Sequence, residues 1–191
     1  MKKRVVTVLV LVFVGALLLA GAVQTQAKAV RIEGLTSYEY DCAMLETLNP
    51  TFSGKEDQIM HIRDYVHVNV HVSDSPYLDG INTTIASATI NNKNGSVSIR
   101  GTMRLEPYAY PGSAWEGRWV FIASKGTYFG RAVAQGTGEL AGMTLYMKLY
   151  DAPLAEDAEQ VCATVSYNGY TGVPEETFTN TEGYILVSGR K

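Results

Sequence analysis

Apolar and polar positions alternate with a period of two through most of this chain, the mark of strands with one buried face. Met60, Ile62, Val66, Val68, Val70 and Val72 fall on one side, and His61, Arg63, Tyr65, His67, Asn69 and His71 on the other. The pattern predicts one long strand, or two meeting near Asp64, with the valines toward a core and the histidines toward water. Val97, Ile99, Met103 and Leu105 alternate with Ser98, Arg100, Thr102 and Arg104, while Trp115, Trp119 and Phe121 share a face with Gly117. Met143, Leu145, Met147 and Leu149 alternate with Thr144, Tyr146, Lys148 and Tyr150. Further strands are predicted over residues 161–167 and 184–188.

Turn signals separate these runs: Asp79-Gly80, Asn94-Gly95, Pro111-Gly112, Lys125-Gly126 and Asn168-Gly169. Asn94-Gly95 fits a two-residue type I′ hairpin best, because that turn needs positive φ at both central positions. No segment carries an amphipathic helix of ten residues, although residues 152–160 could form a short helical turn. Tyr, Gly, Val and Thr are abundant, consistent with β structure. Roughly eight to ten short strands at this spacing predict one all-β domain, a single antiparallel β-barrel, with a sandwich as the alternative.

The N-terminus alters the picture. Lys2, Lys3 and Arg4 precede an uncharged apolar run, and Ala27-Lys28-Ala29 ends it as a signal-peptidase site would. Residues 1–29 are therefore expected to be a cleaved leader of bacterial type and residues 30–191 a single exported domain. An uncleaved N-terminal anchor is the alternative, since the apolar run approaches the roughly 20 residues that span a bilayer. Four of the 16 basic residues leave with the leader and none of the 19 acidic ones, so the net charge moves from −3 to −7. That balance argues against nucleic acid, whose phosphates need Lys and Arg. It also argues against anionic lipid, and no membrane insertion is expected after leader cleavage.

Candidate chemistry is sparse. Cys42 and Cys162, the two cysteines, fit one disulfide tying the first strand to a late strand in an oxidising compartment, with two buried thiols as the alternative. His67 and His71 lie four apart, roughly 13 Å along a regular strand, too far to share a zinc ion. A solvated strand face explains them more simply, and no metal or other cofactor is expected. Gly136-Thr137-Gly138-Glu139-Leu140-Ala141 matches a loose dinucleotide fingerprint, but a strand rather than a helix follows it, so these glycines read as a tight hairpin turn or a bulge. Asp64 sits on the apolar face of the histidine strand, and either needs an inward partner or marks a bulge that turns it outward. Trp115, Trp119, Phe121 and Tyr128 could line an apolar cavity inside a small barrel; a barrel core filled by its own side chains is the alternative.

Trp115-Glu116-Gly117-Arg118-Trp119, the glycines from Gly126 to Gly130, the run from Gly136 to Met143, and residues 72–80 upstream resemble a group of secreted bacterial proteins of unknown function. More distantly, the glycine-punctuated strands ending in G-T-G-x-L resemble the allene oxide cyclase and dirigent barrels. That resemblance implies an eight-stranded, calycin-like antiparallel barrel with a central cavity, and it carries over no catalytic residue. The expected function is non-enzymatic binding of a small, largely apolar molecule in the barrel, by an exported protein. A cyclase or isomerase using a buried polar group such as Asp64 or a strand tyrosine is one alternative, and an extracellular protein-interaction module is another.

Overall fold

The period-two runs fold as antiparallel strands, and their order closes the sheet on itself. In the computed structural model, residues 29–44, 50–152, 155–163, 166–167, 170–171 and 178–188 are described; the expected leader, Ala29 apart, and the Asn168-Gly169 turn lie outside them. The strands are β1 (Val30–Met44), β2 (Thr51–Ser53), β3 (Ile59–Val72), β4 (Gly80–Asn91), β5 (Ser96–Pro107) and β6 (Trp115–Ser124). They continue with β7 (Thr127–Gly136), β8 (Met143–Ala152), β9 (Ser166–Tyr167), β10 (Tyr170–Thr171) and β11 (Phe178–Val187). The nine-stranded sheet runs β1-β11-β8-β7-β6-β5-β4-β3-β2, and β1 also pairs with β3. Eight strands therefore form a closed, barrel-like ring of hydrogen bonds; among the described residues β2 is attached to β3 alone, and β9 and β10 pair only with each other.

β1 closes the ring by using its two edges in succession. Its first part pairs with β11, from Val30↔Val187 to Tyr40↔Phe178, and its second part pairs with β3, from Tyr38↔Val72 to Met44↔His67. Inward positions at one end pack into an apolar plug in which Leu35, Leu78, Leu105, Trp115, Leu145 and Ile185 meet. Trp115 is fully buried there, and its indole Nε1 donates to the Tyr77 carbonyl at 2.8 Å. Gly138–Leu140, the expected tight turn, is a 3₁₀ turn between β7 and β8 that drops Leu140 into the same plug.

The facing of β3 reverses the expectation. Asp64 has φ 53 and is exposed, and the β3–β4 register shifts between Ile62 and Tyr65. This bulge adds one residue, so Ile62 and Tyr65 both point inward, and every later side chain changes face. His67, Asn69 and His71 consequently line the interior, and Val68 and Val70 lie outside. The valines are buried all the same, beneath a short helix, α1 (Ala158–Ala163), that rests on the outer face. The alternation over residues 161–167 predicts a strand through Cys162; α1 occupies the first part of that stretch, where it covers Val68, Val70 and Tyr40, and β9 (Ser166–Tyr167) the last. Cys162 of α1 is bonded to Cys42 of β1, with Cα atoms 5.1 Å apart. Tyr40, also outward, donates to Asp157 Oδ1 at 3.0 Å just before α1; burial first and the Asp157 hydrogen bond second push its phenol up to about 12.

The two-residue I′ turn occurs at a different hairpin from the one expected. Lys125 and Gly126, with φ 52 and 76, join β6 to β7, whereas Asn94-Gly95 belongs to a four-residue loop between Asn91 and Ser96. In that loop Gly95 N donates to Asn91 O at 2.8 Å.

The Cys42–Cys162 bond spans 120 residues of sequence, which in the chain-entropy picture is worth about 4–5 kcal/mol. Cys162→Ala is therefore expected to lower stability by about 2–5 kcal/mol, read as a fall in the urea midpoint by tryptophan fluorescence. An unchanged midpoint would mean that the bond does not constrain the unfolded chain.

Candidate functional site

Beyond the plug, the ring encloses a cavity of about 150 Å³. β5 to β8 supply an apolar wall: Ile99, Met103, Trp119, Phe121, Met147 and Leu149, with Ala132 at its centre. Its shape depends on a glycine. Gly101 lies opposite Trp119 in the β5–β6 register, and a Cβ there would meet Ile85 O at 2.4 Å and the indole Nε1 at 2.9 Å. The absent side chain leaves room for the indole, which packs against the cluster of Ile62, Tyr65, Ala86 and Ala88. Tyr128 lines the cavity yet is 44% exposed, which marks the β6–β7 end as the side open to solvent. Its ring stacks on Phe121 with centroids 6.3 Å apart.

β1, β3 and β4 supply an unlike, polar wall. Glu39 and Asp41 reach in from β1, Tyr65, His67 and Asn69 from β3, and Asn82 and Thr84 from β4. His67 Nδ1 is 2.9 Å from Asp41 Oδ2. Because a carboxylate only accepts, the imidazole carries its proton on Nδ1. The Tyr65 ring tilts against that of His67 at 4.9 Å, and burial, followed by the Asp41 charge, pushes the Tyr65 phenol up to about 12. Asn69 Nδ2 donates to Glu39 Oε1 in a short hydrogen bond.

Behind this wall a second histidine is fully enclosed. His71 Nδ1 lies 3.1 Å from Ser37 Oγ, and its Nε2 lies 3.5 Å from Asn82 Nδ2 and 3.7 Å from Glu39 Oε2. Ser37 in turn makes a short hydrogen bond with Thr181. A serine, a histidine and a carboxylate in sequence invite a nucleophilic reading. However, Ser37 is 2% exposed and outside the cavity lining, so no substrate reaches its hydroxyl, and the cluster braces β1 against β3 and β11.

Of the four aromatic residues picked from sequence, the fold brings Trp119, Phe121 and Tyr128 together on the cavity, while Trp115 belongs to the plug and takes no part in the lining. The alternation does not reveal the polar wall: Asp64 on the apolar face signals the bulge, but not that the β3 side chains beyond it change face. Asp64 itself points outward and away from the cavity. A larger groove, about 590 Å³, lies on the outer face of β1, β7, β8 and β11. Arg31, Glu33, Arg131, Lys148 and Glu182 wall it, with Arg31 2.8 Å from Glu33 and 3.7 Å over the Tyr184 ring. The interior cavity is the better candidate despite its smaller volume, because its polar groups are shielded from water.

Comparison of the chain with family models, curated proteins and solved structures finds no match.

Burial holds the His71 imidazole below the usual histidine value of 6.5, against the opposing pull of Glu39 and Asp79. The unfolded chain therefore takes up this proton more readily than the folded one, so His71 costs nothing above that pH and destabilises the fold as pH falls below it. From about pH 7 to about pH 5, His71→Gln should lose less stability than wild type in urea titrations. Equal losses would remove His71 as the responsible group.

Proposed function

We propose that this chain acts outside the cytoplasm and binds a small, largely apolar molecule inside its closed sheet. The observation that carries this reading is the pair of unlike walls: an aromatic and aliphatic surface from β5 to β8 faces hydrogen-bonding groups from β1, β3 and β4. A site of this kind places the apolar body of a ligand by burial and fixes its orientation with a few polar groups. Space of about 150 Å³ suits a molecule on the scale of a single six-membered ring. The disulfide supports an oxidising compartment, and no described helix is long and apolar enough to cross a membrane.

Native mass spectrometry of protein purified from its own host's medium is expected to find a co-purifying small molecule. Ala132→Leu, which fills the apolar wall opposite the polar one, should remove it. Bare protein mass for the wild type would count against the reading.

A second reading is favoured by one observation, the His67–Asp41 pair facing an enclosed space at 2.9 Å. An imidazole oriented by a carboxylate can move protons as a general acid or base, as a cyclase or isomerase of the barrel type would need. Proton exchange at the α-carbon of phenylacetone in deuterated water tests it. Exchange above the buffer rate that falls about a hundredfold in His67→Gln supports catalysis, and exchange at the buffer rate rejects it for ketones.

A further inference from the structure

Resting on the binding reading above, we infer that the ligand class is a small organic cation: a primary or secondary ammonium ion carried on a compact aromatic or alkyl body.

The charge of the interior points this way. Glu39 and Asp41 line the cavity with side chains only 13% and 14% exposed. Every lysine and arginine among the described residues is exposed, and none lines the cavity. A protonated His67 would offset Asp41 alone. His71, the other imidazole at this wall, is held neutral by its burial. Glu39 is thus left with neutral hydrogen-bond partners, Asn69 foremost, and a buried charge without a counter-charge is costly. A cationic ligand supplies that counter-charge, and a carboxylate ligand would add a third negative group to the same enclosure.

The polar atoms give a second, independent indication. Asn69, Asn82 and Thr84 are each more than nine-tenths buried. Their Oδ1, Oδ1 and Oγ1 atoms have no hydrogen-bond partner among the described residues. Because Asn69 must turn its Nδ2 to the Glu39 carboxylate, its Oδ1 is fixed as a spare acceptor. The two amide oxygens call for donors, the Thr84 hydroxyl can accept one as well, and a primary ammonium group brings three N–H bonds. Facing them, the Trp119 and Phe121 rings offer π surface that attracts a cation as well as an apolar body.

The test uses three probes of one shape: 2-phenylethylamine, 2-phenylethanol and phenylacetate. Binding is followed by tryptophan fluorescence of the full chain, with Trp119→Phe as the control for the origin of the signal, since Trp115 lies in the plug. The amine is expected to bind about tenfold or more tighter than the alcohol, as hydrogen bonds to charged groups exceed neutral ones by that much. Phenylacetate is expected not to saturate, and Glu39→Gln should bring the amine down to the level of the alcohol. Alcohol or phenylacetate binding as tightly as amine would overturn the inference and leave the apolar-cavity reading standing. Failure of all three probes to bind would overturn both.

Discussion

Closure of the sheet through β1 is the constraint on which the other features depend. This strand pairs with β11 along its first part and with β3 along its second, so one 15-residue segment joins the two ends of a sheet that would otherwise stay open. Closure divides every strand into an inner and an outer row. The plug, the cavity and the histidine walls are all inner-row groups, and α1 with its disulfide belongs to the outer row. Register slips along β1 and β3 set which residue goes where. Between Asp41 and Ala43 the pairing skips Cys42, which turns the sulfur out toward Cys162 directly beside a carboxylate turned in.

The sequence announced the strands well and their facing poorly. Alternation in β5, β6 and β8 placed Met103, Leu105, Trp115, Trp119, Leu145 and Met147 on the inner row, because those strands are regular and their outer faces meet water. β3 carries the same signal with the opposite meaning. Val68 and Val70 are buried under α1, His67 and His71 lie inside, and a stretch covered on both faces has no water-facing side for periodicity to report. The extra residue at Asp64 shows as a carboxylate on the apolar face, but the choice between a bulge and an inward charge is made by the backbone of the paired strands. The run through Val161 and Ala163 shows how weak a short alternation is. Helix formation there is decided by tertiary cover over Val68 and Val70, which local propensity does not express.

The interior is organised by how polar groups are shared. Asp41 is matched with His67, Glu39 with Asn69, and His71 with Ser37, so three pairings fasten β1 and β3 side by side along the wall that closes the ring. A polar network inside a small closed sheet contributes less to stability than apolar filling would, and the plug at the other end supplies that filling with Leu78, Leu105, Trp115 and Leu145. One end is thus built for packing and the other for recognition, and the same strands run through both.

The stagger of the closed sheet also governs how this molecule meets its neighbours. From Val30 to Ser37, β1 pairs with β11 but with no strand among the described residues on its other side, and β2 offers three further residues of open edge. Free edges invite other chains to add strands. Here Gly34 interrupts the run with φ 73 and a register shift, Arg31 and Glu33 flank it with charge, and Ser73 Oγ already donates to the Thr36 carbonyl. The open edge of β1 is thereby broken by a kink, flanked by charge and partly occupied, which leaves a second copy little uninterrupted backbone on which to add a strand there.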